Sequence, residues 1–97
     1  MKRLEIIVNQ SIEDEVVFLL ESLHYGEAFT HFSSVFGRGN SGRREGTGVW
    51  PERNSLYLVF IQDQEVGLFL NEIRRIKEEF PDEGIRCIIS GGVEETL

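Results

Sequence analysis

Cysteine is almost missing from this chain: Cys87 is the single one among 97 residues. No internal disulfide can form, and a lone cysteine in a strand pattern reads as a small buried apolar residue rather than a reactive thiol. Histidine is nearly as scarce, with only His24 and His31. Neither stands at a tight ligand spacing to the other, to Cys87 or to the carboxylates, which argues against a built-in structural zinc site. Long hydrophobic runs are absent too. Apolar stretches such as Val16 to Leu20 are far below the roughly 18 residues that span a bilayer, and the N-terminus reads as a strand rather than a signal peptide. The expectation is a soluble, cytoplasmic protein. Basic residues are outnumbered 10 to 17, for a net charge of −7, which argues against general nucleic-acid or anionic-membrane binding. No Ser, Cys or Lys sits in a recognisable activating context, so nothing marks the chain as an enzyme that uses a nucleophile.

What is present fits one domain, residues 1–97, whose marginal core would benefit from a partner subunit. Lys2 to Asn9 alternates as a strand, with Leu4, Ile6 and Val8 on one face and Glu5, Ile7 and Asn9 on the other. Ser11 then reads as a helix N-cap, and Glu13, Asp14 and Glu15 suit the positive end of the dipole. The helix runs to about Leu23, burying Ile12, Val16, Leu19, Leu20 and Leu23; Gly26 stops it and His24 sits at its C-terminal end. Phe29 to Phe36 forms a second strand, and Ser55 to Gln62, the most β-prone run, a third that is apolar on both faces. Asp63 caps a second helix in which Val66, Phe69, Leu70, Ile73, Ile76 and Phe80 keep helical spacing. Pro81 to Gly84 ends it, Ile85 to Ser90 is the fourth strand, and Gly91 to Leu97 is a short acidic tail. The order βαββαβ predicts an α+β, ferredoxin-like sandwich: a four-stranded antiparallel sheet with two helices on one face. The other face stays bare and apolar, which predicts oligomerisation through it.

Between the second and third strands lies Phe36 to Asn54, with five of the ten glycines and four of the ten basic residues, Arg38, Arg43, Arg44 and Arg53. Glycines let backbone amides approach a bound group and arginines offer a planar fork of donors, so the stretch reads as an anion-contacting loop. Gly37 to Gly42 spells G-x-G-x-x-G but does not open a helix, which rules out the dinucleotide fingerprint. Arg43-Arg44 stands where a P-loop needs Lys followed by Ser or Thr, so that motif fails as well. RNA binding on the sheet would need basic residues interleaved with aromatics on Ser55 to Gln62, and there are none.

The βαββαβ order, the step Val35-Phe36-Gly37-Arg38 into a long loop, and the ending Gly91-Gly92-Val93-Glu94-Glu95 together resemble the PII-like (nitrogen regulatory protein P-II-like) signalling superfamily over nearly the whole chain. The resemblance implies a non-enzymatic homotrimer that binds a small, anionic, nucleotide-like ligand at clefts between subunits. Its long T-loop, here about residues 37–54, would contact a target such as a membrane transporter or a regulatory enzyme. Gly37, Arg38, Gly39, Arg43 and Arg44 would contact the ligand, and Arg43, Arg44, Trp50 and Arg53 the partner, with an adenine nucleotide as the implied cofactor. Two departures stand out: Phe80 to Gly84 replaces the family's glycine-rich, lysine-bearing B-loop, and the T-loop tyrosine is absent. Divergent short members bind other ligands or metal ions, so the alternative is a divalent-metal protein associated with metal efflux, using His24, His31 or carboxylates.

Overall fold

The structure, a computed structural model, describes residues 1–22, 29–36 and 53–97. Four strands, β1 (Lys2–Asn9), β2 (Phe29–Phe36), β3 (Arg53–Ile61) and β4 (Ile85–Ser90), and two helices, α1 (Glu13–Ser22) and α2 (Val66–Glu79), follow one another in the order βαββαβ. The strands make one antiparallel sheet in the order β2-β3-β1-β4. The ferredoxin-like architecture expected from the alternation is thus the one found.

Alternation decides which face the helices cover. Leu4, Ile6 and Val8 of β1 lie beside Tyr57 and Val59 of β3, and all five are essentially inaccessible under Val16 and Leu20 of α1 and Phe69 and Ile76 of α2. Burying each large side chain contributes about 1.5–3 kcal/mol, so this single layer holds the fold. Both helices begin differently from the sequence expectation. Asn9, not Ser11, provides the first cap: its side chain accepts from the Ser11 amide at 2.9 Å, and a 3₁₀ turn, Gln10–Ile12, precedes α1. Ser11 instead donates its hydroxyl to Glu83 at 2.7 Å, across to the turn before β4. Likewise Asp63 makes no cap; Asp63–Glu65 is a 3₁₀ turn, and the Asp63 carboxylate pairs with the Met1 amino group at 3.0 Å. A tertiary charge partner outcompetes the local amide. Leu23, His24 and Gly26, expected at the end of α1, lie outside the described residues.

β3 starts two residues before the expected Ser55, so Arg53 and Asn54 are strand residues opposite Phe36 and Val35. Leu56, Leu58 and Phe60 alternate away from the core. Both of its faces are apolar as expected, but Phe60 is 46% exposed because no helix reaches the second face.

Candidate functional site

β2 is the edge strand that delivers the chain to residue 37, and hardly any of its side chains is buried. The helices cover the strands further in, so β2 is held by its ladder with β3 and by a few side chains. One of these is His31, which stacks on the Tyr57 ring with centroids 4.5 Å apart and planes 5° from parallel. Its Nε2 lies 3.0 Å from Glu13 Oε2, and the Tyr57 hydroxyl donates to the same oxygen at 2.5 Å. The first turn of α1, the third strand and the edge strand therefore meet at one carboxylate.

Two opposing effects act on Glu13. Partial burial pushes its carboxyl up, but the Tyr57 and Ser55 hydroxyls and the His31 imidazole outweigh burial and hold its pKa below the ordinary carboxylate value. Burial and the Glu13 charge raise the Tyr57 phenol in turn, so it stays protonated as donor. Ser55 Oγ is fully buried and completes no regular hydrogen bond, though it lies near enough to favour the Glu13 charge.

Ser55 faces an irregularity. Phe32 pairs with Leu56 and Val35 with Asn54, which leaves Ser33 and Ser34 opposite Ser55 alone: a β-bulge. Ser34 takes φ 57°, an uncommon value for a residue with a side chain, and Gln10 Nε2 donates to its hydroxyl at 3.4 Å. The bulge turns the last two residues of β2, and Phe36 ends the strand 61% exposed with Arg53 as its cross-strand partner. Residues 37–52 thus leave and re-enter at one end of the β2–β3 pair.

The uncovered face of the sheet is apolar in rows. Phe32, Leu56 and Ile7 are cross-strand neighbours, and Thr30, Leu58, Glu5 and Ile88 form the next row. Phe32 is 46% and Ile88 39% exposed. Arg3 and Glu5 cross the face as an ion pair at 3.2 Å. On the helix side of the opposite edge, a groove of about 440 Å³ runs between α2 and β4. Phe80 to Gly84, at its end, is a tight acidic turn whose Gly84 carbonyl accepts from the Asn9 amide at 2.8 Å.

Of the site residues expected from sequence, Arg53 stands exposed at the start of β3 and His31 is engaged by Glu13. Gly37, Arg38, Gly39, Arg43, Arg44, Trp50 and His24 lie outside the described residues. Among the described residues no group of three His, Cys, Asp or Glu side chains is placed to hold a metal ion, and no helix is long and apolar enough to cross a membrane. Cys87 is half-buried, and burial raises its thiol to about 11. That is the inert behaviour expected of it.

A four-stranded antiparallel sheet with two helices on one face, an open apolar face and a long excursion between β2 and β3 is the PII-like fold, and solved structures of that class superpose on this chain. CPII, a nitrogen regulatory PII-like protein from Thiomonas intermedia K12, solved bound to ADP, AMP and bicarbonate, matches with a TM-score of 0.68 at 20% identity, over 92% of this chain and 82% of that one. Its apo form matches at 0.66 and 16% identity, over 92% and 87%. A DUF3240 family protein from Shewanella baltica OS155 gives 0.67 at 16% identity, over 99% of this chain and 96% of that one. No protein-family model and no curated protein matches the sequence. At such identities the likeness extends to the fold.

Proposed function

We propose that this chain is a divergent PII-like regulatory protein without enzymatic activity. It assembles as a homotrimer, binds a small anionic, nucleotide-like ligand at subunit clefts, and reports the ligand through residues 37–54 to a protein target. The observation that carries this reading is the end of the β2–β3 pair. The bulge at Ser33 and Ser34 and the pairing of Phe36 with Arg53 launch one long, arginine- and glycine-rich excursion from a fixed base. Loops positioned by a rigid scaffold are where recognition residues concentrate. The ADP, AMP and bicarbonate of the CPII structure, a protein of like fold, support the choice of ligand class.

Arg38, two residues beyond β2, is the first cation of the excursion in sequence. Its guanidinium is the proposed anchor for the anion, a charge-assisted, bidentate contact contributing about 1.5–3 kcal/mol. Arg43 and Arg44 stand farther out and serve the partner more than the ligand, with Trp50 and Arg53. ATP binds more weakly than in PII proteins with a B-loop, because the turn at Phe80 to Gly84 carries Asp82 and Glu83 and no lysine.

Calorimetry with ADP, AMP, ATP and bicarbonate on parent and Arg38→Ala protein tests this. The expected outcome is ADP or AMP binding by the parent, weakened roughly tenfold or more in Arg38→Ala, with an unchanged melting temperature and little change for Arg43→Ala. Equal affinity of parent and Arg38→Ala would remove the anion cleft from the loop base. The metal-efflux reading through His24 and His31 would then take its place.

A further inference from the structure

β4 is an edge strand: it pairs with β1 on one side only, and its other side borders the groove against α2. Arg74 and Lys77 line the helix wall, Arg86 borders the groove from β4 although its place opposite Ile7 puts it on the open face, and the lining includes no carboxylate. For a chain of net charge −7 that is a local excess of positive charge beside a row of backbone groups suited to adding a strand. The segment that leaves β4 has the opposite character. Val93 to Leu97 carries Glu94 and Glu95 and no cation, and it is joined to the strand by Gly91-Gly92.

Two glycines between two strand-like runs are a two-residue hairpin turn signal, since such turns need positive φ at one or both central positions. Gly92 holds φ 70° while Gly91 does not have positive φ, so closing such a turn requires Gly91 to cross to positive φ, which a glycine does at little cost. In this structure the tail is open: residues 91–97 belong to no strand. We infer that Val93 to Leu97 folds back on Gly91-Gly92 as a fifth strand against β4, a strap that closes the cationic groove. The turn fixes the register, pairing Ser90 with Val93, Ile89 with Glu94 and Cys87 with Thr96. Ile89 and Cys87 share the helix-side face, opposite Leu4 and Ile6 of β1, so Glu94 and Thr96 face α2 and its Arg74 and Lys77. Glu95 falls on the open face, diagonal to Arg86. An anionic strand or group approaching the groove must displace the strap, which gives the site an open and a closed form.

The single native cysteine makes the register measurable. Cys87 and Thr96 would form a non-hydrogen-bonded pair, the closer of the two antiparallel pair types and within disulfide reach. Thr96→Cys and Glu95→Cys proteins, both changed only in the exposed tail, are equilibrated in glutathione buffers and run on non-reducing gels. The expected result is an intrachain disulfide in Thr96→Cys at least tenfold more stable than in Glu95→Cys, and several-fold less stable once Arg74→Glu and Lys77→Glu are added. Gly92→Val, in the chain without the new cysteine, should speed alkylation of Cys87 several-fold by holding the strap open. Disulfide-linked oligomers as the main product would place the tail on a second copy and overturn the proposal. So would equal disulfide stability at positions 95 and 96, or indifference to charge reversal.

Discussion

Glu13 reads in the sequence as one of three acids in a first helical turn, favourable to the dipole and otherwise replaceable. The structure makes it the acceptor shared by Tyr57 and His31. The signal that could have found it is Tyr57, for a phenol on a buried strand needs a hydrogen-bond partner. Glu13→Gln keeps the shape but loses charge-assisted acceptance, and urea denaturation near neutral pH should show a loss of about 1–3 kcal/mol. The pH dependence has a definite sign. The folded-state pKa of Glu13 lies below its ordinary value of 4.5, so its contribution is complete above that pH and is lost as pH falls through the lowered pKa. Parent and Glu13→Gln stabilities should therefore converge in acid. A constant difference between them from neutral pH to about pH 3 would show that the carboxylate charge contributes nothing.

Among the elements, β2 is the informative one. Strict alternation over Phe29 to Phe36 puts Val35 on the face of Phe29 and His31, but the bulge breaks the period: Val35 pairs with Asn54 on the same side as Phe32. No glycine marks the place, because Ser34 itself takes the left-handed conformation. Ser34→Val should cost about 1–2 kcal/mol, since a β-branched side chain resists positive φ, whereas Ser34→Gly should be tolerated. Thermal melts of the two variants decide this; equal destabilisation would point to the hydroxyl contact with Gln10 rather than the backbone. The start of β3 at Arg53, ahead of the Ser55 expected from composition, has a related cause. Arg53 and Asn54 look like loop residues by composition, and only their pairing with Phe36 and Val35 makes them strand.

For the whole molecule the open sheet face sets the behaviour. Phe32, Leu56, Leu58, Phe60 and Ile88, with Ile7, leave a contiguous apolar surface partly in water, of the kind that marks an interaction site. Phe32→Glu places a charge in the row with Leu56 and Ile7 without touching the core. Light scattering should then show the parent as a trimer and the variant shifted to monomer. A parent that is monomeric at micromolar concentration would remove both the assembly and the subunit clefts proposed as ligand sites.

The amino-acid order by itself determined the element sequence, the core face of β1 and of both helices, and the open apolar face, because periods of two and of about 3.6 residues record which side chains leave water. It also placed glycine and arginine together between β2 and β3. Tertiary structure alone decided which partner each polar group takes. Asn9 caps where Ser11 was expected, Ser11 crosses to Glu83, Asp63 goes to the chain start, and Glu13 gathers Tyr57 and His31. Apart from the local Asn9 cap, these pairings join residues far apart in the sequence, and no local period encodes them. They follow from the register of the sheet and the docking of the helices, which bring those groups within 3 Å or so of one another only after the core has formed.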